Sequence, residues 1–246
     1  MATTAIQETV VPKLRPGRRY DNRFVSVMVA LLLGTVFYGF ARSYFLVGVF
    51  RAPLPNALIH IHGAAFTSWM LLLIVQTSLV RVRRIDIHRK LGLAGFGLAC
   101  LMVILGLLAA NDALARNFAP TPFDPKTFYA VPLGGMFMFS TLIFFAYRFR
   151  QNPAVHKRLI LIATIAIMDA PLGRIPLVNQ SHLLSDLWQY GFLALIVLYD
   201  LWSTRKIYRT TIWASLFIIV AGELRIPIGS TSPWHAFATW AQTLHL

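Results

Sequence analysis

Apolar residues run in seven blocks along the chain, at about 24–48, 58–80, 91–112, 128–147, 159–177, 186–202 and 211–228, separated by polar, basic or proline-containing segments. Each block approaches the roughly 20 residues that a helix needs to cross the hydrocarbon of a bilayer. The pattern predicts an all-α integral membrane bundle of about seven transmembrane helices. Three segments follow from it: 1–23 as an N-terminal cytoplasmic segment, 24–228 as the transmembrane domain and 229–246 as an outer-face tail. In that tail Trp234 and Trp240 mark a short amphipathic helix at the membrane interface. The first block is longer than a signal-peptide core and no small-residue cleavage site follows it, so Phe24 to Phe50 is expected to remain as the first span.

Basic residues set the orientation. One side of the predicted bundle takes Lys13, Arg15, Arg18, Arg19 and Arg23, then Arg81, Arg83, Arg84, Arg89 and Lys90, then Arg148, Arg150, Lys157 and Arg158, then Arg205, Lys206 and Arg209. The other side takes Arg42, Arg51, Arg116, Lys126, Arg174 and Arg225. Seventeen against six places the N-terminus in the cytoplasm and the C-terminus outside, as expected of a multi-pass membrane protein.

Composition agrees: 57% of residues are hydrophobic and 13% charged, where a soluble domain carries about 25% charged residues. A net charge of +14 would suggest nucleic acid for a soluble protein. Here the basic residues cluster between apolar blocks, so the expected partner is the lipid bilayer and not nucleic acid. Cys100 is the only cysteine and sits inside an apolar block as a packing residue, which leaves neither an internal disulfide nor a thiolate metal cluster.

A short repeat links two blocks. His88-Arg89-Lys90-Leu91 opens the third and His156-Lys157-Arg158-Leu159 the fifth, each after a basic loop. Helices two-three and four-five then read as duplicated hairpins, with the two histidines at equivalent positions of a four-helix core.

All seven histidines fall near span ends: His88 and His156 at the inner face, and His60, His62, His182, His235 and His245 at the outer face. Such positions also suit histidine as an interfacial residue. The segment from His60 through His62 and Gly63 to Trp69 and Gln76 is more specific, because positions 62, 69 and 76 share one helical face. His60 lies about 200° from His62 on a helix, so both reach one ion only if the helix begins between them. At the outer leaflet Asp169 is followed by Pro171, Gly173 and Arg174, and the last block ends Glu223-Leu224-Arg225-Ile226-Pro227. A carboxylate facing lipid costs roughly 2.5 kcal/mol or more, so Asp169 is expected to turn inward and pair with Arg174 or a histidine. Two carboxylates, two arginines and three histidines would converge there on a metal, a haem propionate or an anionic substrate. Phosphate-binding glycine loops, nucleophile elbows, the His-Glu-x-x-His motif and paired cysteines are absent, and the last block has no lysine to form a retinal Schiff base.

The string His60-x-His62-Gly63, Trp69, Gln76, His88-Arg89-x-Leu91-Gly92, His156-Lys157-Arg158-Leu159 and Arg174-Ile175-Pro176 resembles a bacterial family of uncharacterised multi-pass membrane proteins, over roughly residues 55–230. That family is in turn distantly similar to transmembrane haem proteins of the cytochrome b561 kind, in which histidines on facing helices ligate haem near each membrane face. The resemblance implies haem b, with His88 and His156 as an inner ligand pair and His62 or His60 in an outer one. The fourth block contains no histidine, so His182 at the start of the sixth is the nearest outer partner. Cofactor contacts are then expected from His60, His62, His88, His156, His182, Arg174 and Arg225 in an electron-transfer protein with a redox partner or a place in a membrane complex. The alternative is a non-haem Zn, Fe or Cu site at the outer face, built from His60, His62, His182, Asp169 and Glu223 and acting on a lipid-like substrate. A third reading is a structural subunit whose polar residues only fix helix packing.

Overall fold

A computed structural model describes residues 18–50, 56–119, 123–178 and 181–244, except the side chains of 18–20 and 182. The described chain is all-α. The helices are α1 (Arg18–Phe40), a π-helical turn (Ala41–Phe45), α2 (Val47–Phe50), α3 (Ala57–Arg81), α4 (Ile85–Ala115), α5 (Pro125–Arg148), α6 (Pro153–Ile165), α7 (Asp169–Leu172), α8 (His182–Thr204), α9 (Arg209–Gly229) and α10 (Ser232–Gln242). Among the described residues five helical segments are long and apolar enough to cross a membrane: Asp21–Phe45, Ala57–Arg81, Ile85–Ala115, Pro125–Arg148 and Arg209–Gly229.

Local chemistry places the helix starts. The Asn56 side chain accepts from the Ile59 amide at 2.9 Å, and Asp124 accepts from the amides of Lys126 and Thr127, both at 3.0 Å. Pro125 and Pro153 stand at first helical positions, where a missing N–H costs no bond. α3 pairs with α4 and α5 with α6 through short turns, so each forms a helical hairpin, and α5 also packs along α4 and α9. His88 and His156 are each the fourth residue of the second helix of its hairpin.

The centre of the bundle is α6. Leu159, Ile162, Ala163 and Ile165 are wholly buried among α1, α5, α8 and α9, as expected of a helix that is apolar on every side. The longer helices instead present Leu31, Leu71, Ile104, Phe144, Leu198 and Val220 outward, an apolar exterior suited to lipid. Between apolar helices in lipid, close packing replaces the hydrophobic effect, and small residues permit it. Gly39 of α1 lies on the Pro171 backbone, and a Cβ at Gly229 of α9 would come within 2.6 Å of the Thr127 carbonyl oxygen. Cys100 faces outward from α4 and is not a packing residue.

The fifth apolar block is not one helix. α6 stops at Ile165, a turn covers Ala166–Met168, and α7 adds a single helical turn. Pro171 explains the break, because its ring cannot donate to the Ile167 carbonyl and collides with it in a continuous helix. The carbonyls freed near the break need partners inside a water-poor bundle. The Gln189 side chain of α8, 1% exposed, donates to the Ile165 carbonyl at 2.9 Å. α10 packs on α4 and α5, with Trp234 donating to the Lys126 carbonyl at 2.8 Å and Gln242 to the Leu114 carbonyl at 3.1 Å.

Candidate functional site

Two polar centres lie at opposite ends of α3, whose inward face carries His62, Trp69 and Gln76. Between them Trp69 is buried and donates to the Thr164 hydroxyl of α6 at 3.2 Å.

At the C-terminal end of α3, His88 and His156 come within electrostatic reach of each other. The Nδ1 of His156 lies 2.9 Å from the Ala146 carbonyl. A carbonyl can only accept, so Nδ1 carries the proton and the Nε2 lone pair of a neutral His156 stays free. The His88 ring lies beside the backbone carbonyl of Gln76. Its Nδ1 and the Gln76 side-chain oxygen are both buried and have no hydrogen-bond partner.

The residues after His156 turn elsewhere. Lys157 pairs with Asp21 at 2.5 Å, and Asp21 accepts from the Tyr199 hydroxyl at 2.7 Å. Arg158 pairs with Asp200, which is wholly buried and also accepts from the Thr211 hydroxyl at 2.6 Å and the Tyr208 amide at 3.2 Å. The Arg158 guanidinium also donates to the Ala154 carbonyl at 2.7 Å and lies 3.7 Å above the Tyr208 ring. Lys157 and Arg158, expected as loop charges, therefore tie α1, α6, α8 and α9 together beside His156. Asp21 and Asp200 escaped sequence reasoning; an aspartate inside the apolar 186–202 block was the available signal.

At the N-terminal end of α3 the convergence expected of the charges separates into pairs. Asp169 bonds Arg225, not Arg174 or a histidine. Arg225 reaches it because Gly134 leaves room for its stem, and its Nε donates to the Gly222 carbonyl at 3.0 Å. Arg174 instead donates to the Ala170 carbonyl at 2.6 Å and lies 4.6 Å above the Phe40 ring. Glu223 accepts from the Tyr190 hydroxyl at 2.5 Å.

His60 and His62 also part. α3 begins at Ala57, before both, so they leave the helix about 200° apart. His60 is exposed, its ring 5.7 Å from that of Tyr44, whereas His62 stacks on Phe66 at 4.2 Å and lines a cavity of about 100 Å³. The side chain of His182 lies outside the described residues, as does His245. Among the described residues no three His, Cys, Asp or Glu side chains form a group able to hold a metal. His235 lies beside α5, its Nε2 3.2 Å from the Thr127 hydroxyl.

No known protein family, curated protein or solved structure matches the chain.

Proposed function

We propose that the protein is a seven-span electron-transfer protein of a bacterial inner membrane, in which His88 and His156 are the axial ligands of a b-type haem near the cytoplasmic face. The observation that carries this reading is the inner histidine pair. Two histidines from equivalent positions of two hairpins lie within electrostatic reach of each other, one with its ring set by a backbone carbonyl and the other with a buried nitrogen lacking a hydrogen-bond partner. A carbonyl on the far nitrogen is the usual support of a metal-bound imidazole, since it fixes tautomer and orientation. His156 and His88 would hold the group, and Gln76 could offer a hydrogen bond to it. When bound, haem supplies one-electron chemistry, tuned by its axial ligands and by burial. The chain itself orients His156 through the Ala146 carbonyl, beside the ion pairs of Lys157 and Arg158. The basic rim of Arg81, Arg83, Arg84 and Arg148 beside the centre suits an acidic redox partner.

Seven crossings require two more spans than the five apolar segments. α8, at 23 residues, is about 34 Å long and sufficient. The broken α6–α7 pair supplies the other, as discontinuous helices do where irregular backbone is enclosed by protein.

The test is the visible spectrum of protein purified with haem supplied during expression. A low-spin bis-histidine spectrum is expected, lost in His88→Ala and in His156→Ala and unchanged in His245→Ala. Absence of bound haem, or its retention in both ligand variants, would overturn the reading.

A further inference from the structure

We propose that the groove between α3 and α4 on the lipid-facing surface binds one anionic phospholipid, with an acyl chain along the groove and the phosphate held by Lys90 and Arg83. Leu71, Leu72 and Val75 of α3 and Leu91, Ala94 and Leu98 of α4 line it. Both helices are long and apolar enough to cross a membrane, and Leu71 and Val75 are 53% and 45% exposed, so the groove opens toward hydrocarbon. Its volume of about 350 Å³ lies within the roughly 300–1,000 Å³ of ligand sites. Ser68 to Val75 and Leu91 to Leu98 are two helical turns each, which gives a length of about 10 Å, enough for part of one extended chain.

The sequence builds both the groove and its charged end. A Cβ at Gly95 would come within 2.7 Å of the Leu72 side chain, so glycine lets that leucine lie between the helices as the floor. The small side chain of Ala94 keeps the α4 wall low. α3 ends in a tight turn, with Arg83 at a φ of 61°, its amide on the Val80 carbonyl at 3.2 Å and the Arg84 amide on the Leu79 carbonyl at 2.9 Å. That turn joins the two walls and sets Arg83 at their junction. Lys90 stands directly before Leu91 and one turn before Ala94 on the same face of α4. Arg84 pairs with Asp86 at 3.3 Å, whereas among the described residues no carboxylate pairs with Arg83 or Lys90. An apolar trough that ends at two uncompensated cations complements a molecule with an apolar tail and a negative head. An acyl chain gains little by leaving bulk lipid for a protein groove, so selection among lipids falls to the headgroup. A zwitterionic head carries its own cation, while an anionic one leaves its phosphate charge for Lys90 and Arg83.

The test does not depend on haem. Native mass spectrometry of the detergent-purified protein, titrated with phosphatidylglycerol or phosphatidylcholine of identical acyl chains, reads the binding of single lipids. The wild type should bind phosphatidylglycerol more tightly, and Lys90→Gln should lower that preference roughly fivefold, the contribution of one basic residue facing anionic lipid. Lys206→Gln, which removes a cation from the loop between α8 and α9, should leave the preference unchanged. Ala94→Trp fills the groove and should weaken both lipids. All three substitutions are at exposed positions, so the helical circular dichroism should stay that of the wild type. Equal affinity for the two lipids, an equal loss in Lys90→Gln and Lys206→Gln, binding insensitive to Ala94→Trp, or a lipid-free dimer that Ala94→Trp dissociates would each overturn the proposal.

Discussion

Asp200→Ala tests how much of the α6–α8–α9 packing rests on one buried carboxylate. The native Asp200 is wholly buried and accepts from Arg158, the Thr211 hydroxyl and the Tyr208 amide. Removing it leaves the Arg158 side chain, 4% exposed, with only the Ala154 carbonyl and the Tyr208 ring. An uncompensated buried cation costs about 3–5 kcal/mol, while replacing a whole pair by apolar groups is often neutral or stabilising. Asp200→Ala should therefore destabilise by about 3–5 kcal/mol, and Arg158→Met/Asp200→Leu should recover most of that loss. Unfolding in mixed micelles of increasing SDS fraction measures both. Arg84–Asp86 is the control, since its side chains are 58% and 63% exposed and Asp86→Ala should leave the transition unmoved. A loss under about 1 kcal/mol for Asp200→Ala, or a double variant no better than the single, would refute the reasoning, because an exposed pair behaves that way.

Three further outcomes are expected. Gly39→Ala would drive a Cβ into the Pro171 carbonyl oxygen, with the Pro171 Cα at 2.8 Å, and because backbone cannot step aside it should destabilise by about 1–3 kcal/mol in the same SDS titration. The Asp124 carboxyl is subject first to burial, which pushes it up, but the Thr127 hydroxyl and the Lys126 and Thr127 amides outweigh this and hold it below the usual carboxylate range. Its capping contribution is thus complete above the unfolded-state value of about 3.9 and disappears as pH falls through the lower folded value; thermal melts from pH 6 to 3 should show an acid-side loss that Asp124→Asn removes. Reporter fusions in the 81–90, 148–158 and 203–210 loops should report cytoplasm and those in 113–126 and 177–185 the outside; any loop on the opposite side would break the seven-span arrangement.

Apolar blocks translate into helices wherever a block is uninterrupted, which is why α3, α4, α5 and α9 lie close to the positions read from sequence. The fifth block departs from its pattern because hydropathy counts Pro171 as a neutral residue, whereas its effect is on the hydrogen bond it cannot make. The equivalent placement of His88 and His156 follows the repeated His-basic-basic-Leu string, since each is the fourth residue of the second helix of its hairpin. Ion-pair partners were not readable. Asp169 could bond several arginines by sequence distance, and only the space above Gly134 brings Arg225 to it. Likewise, Lys157 and Arg158 count as topology signals in a charge tally, although both point into the protein at acidic partners 136 and 42 positions away.

The break between α6 and α7 also bears on how the chain is made. At 13 residues α6 is about 20 Å long, too short to span the hydrocarbon alone, and α7 after it begins with Asp169. The groups that complete this region, Gln189 and Arg225, emerge from the ribosome 24 residues after Ile165 and 56 after Asp169. During synthesis these partners on α8 and α9 are still untranslated when α6 and α7 emerge. A nascent chain arrested before Arg225 should accordingly leave this region open to proteolysis, and release of α9 should close it.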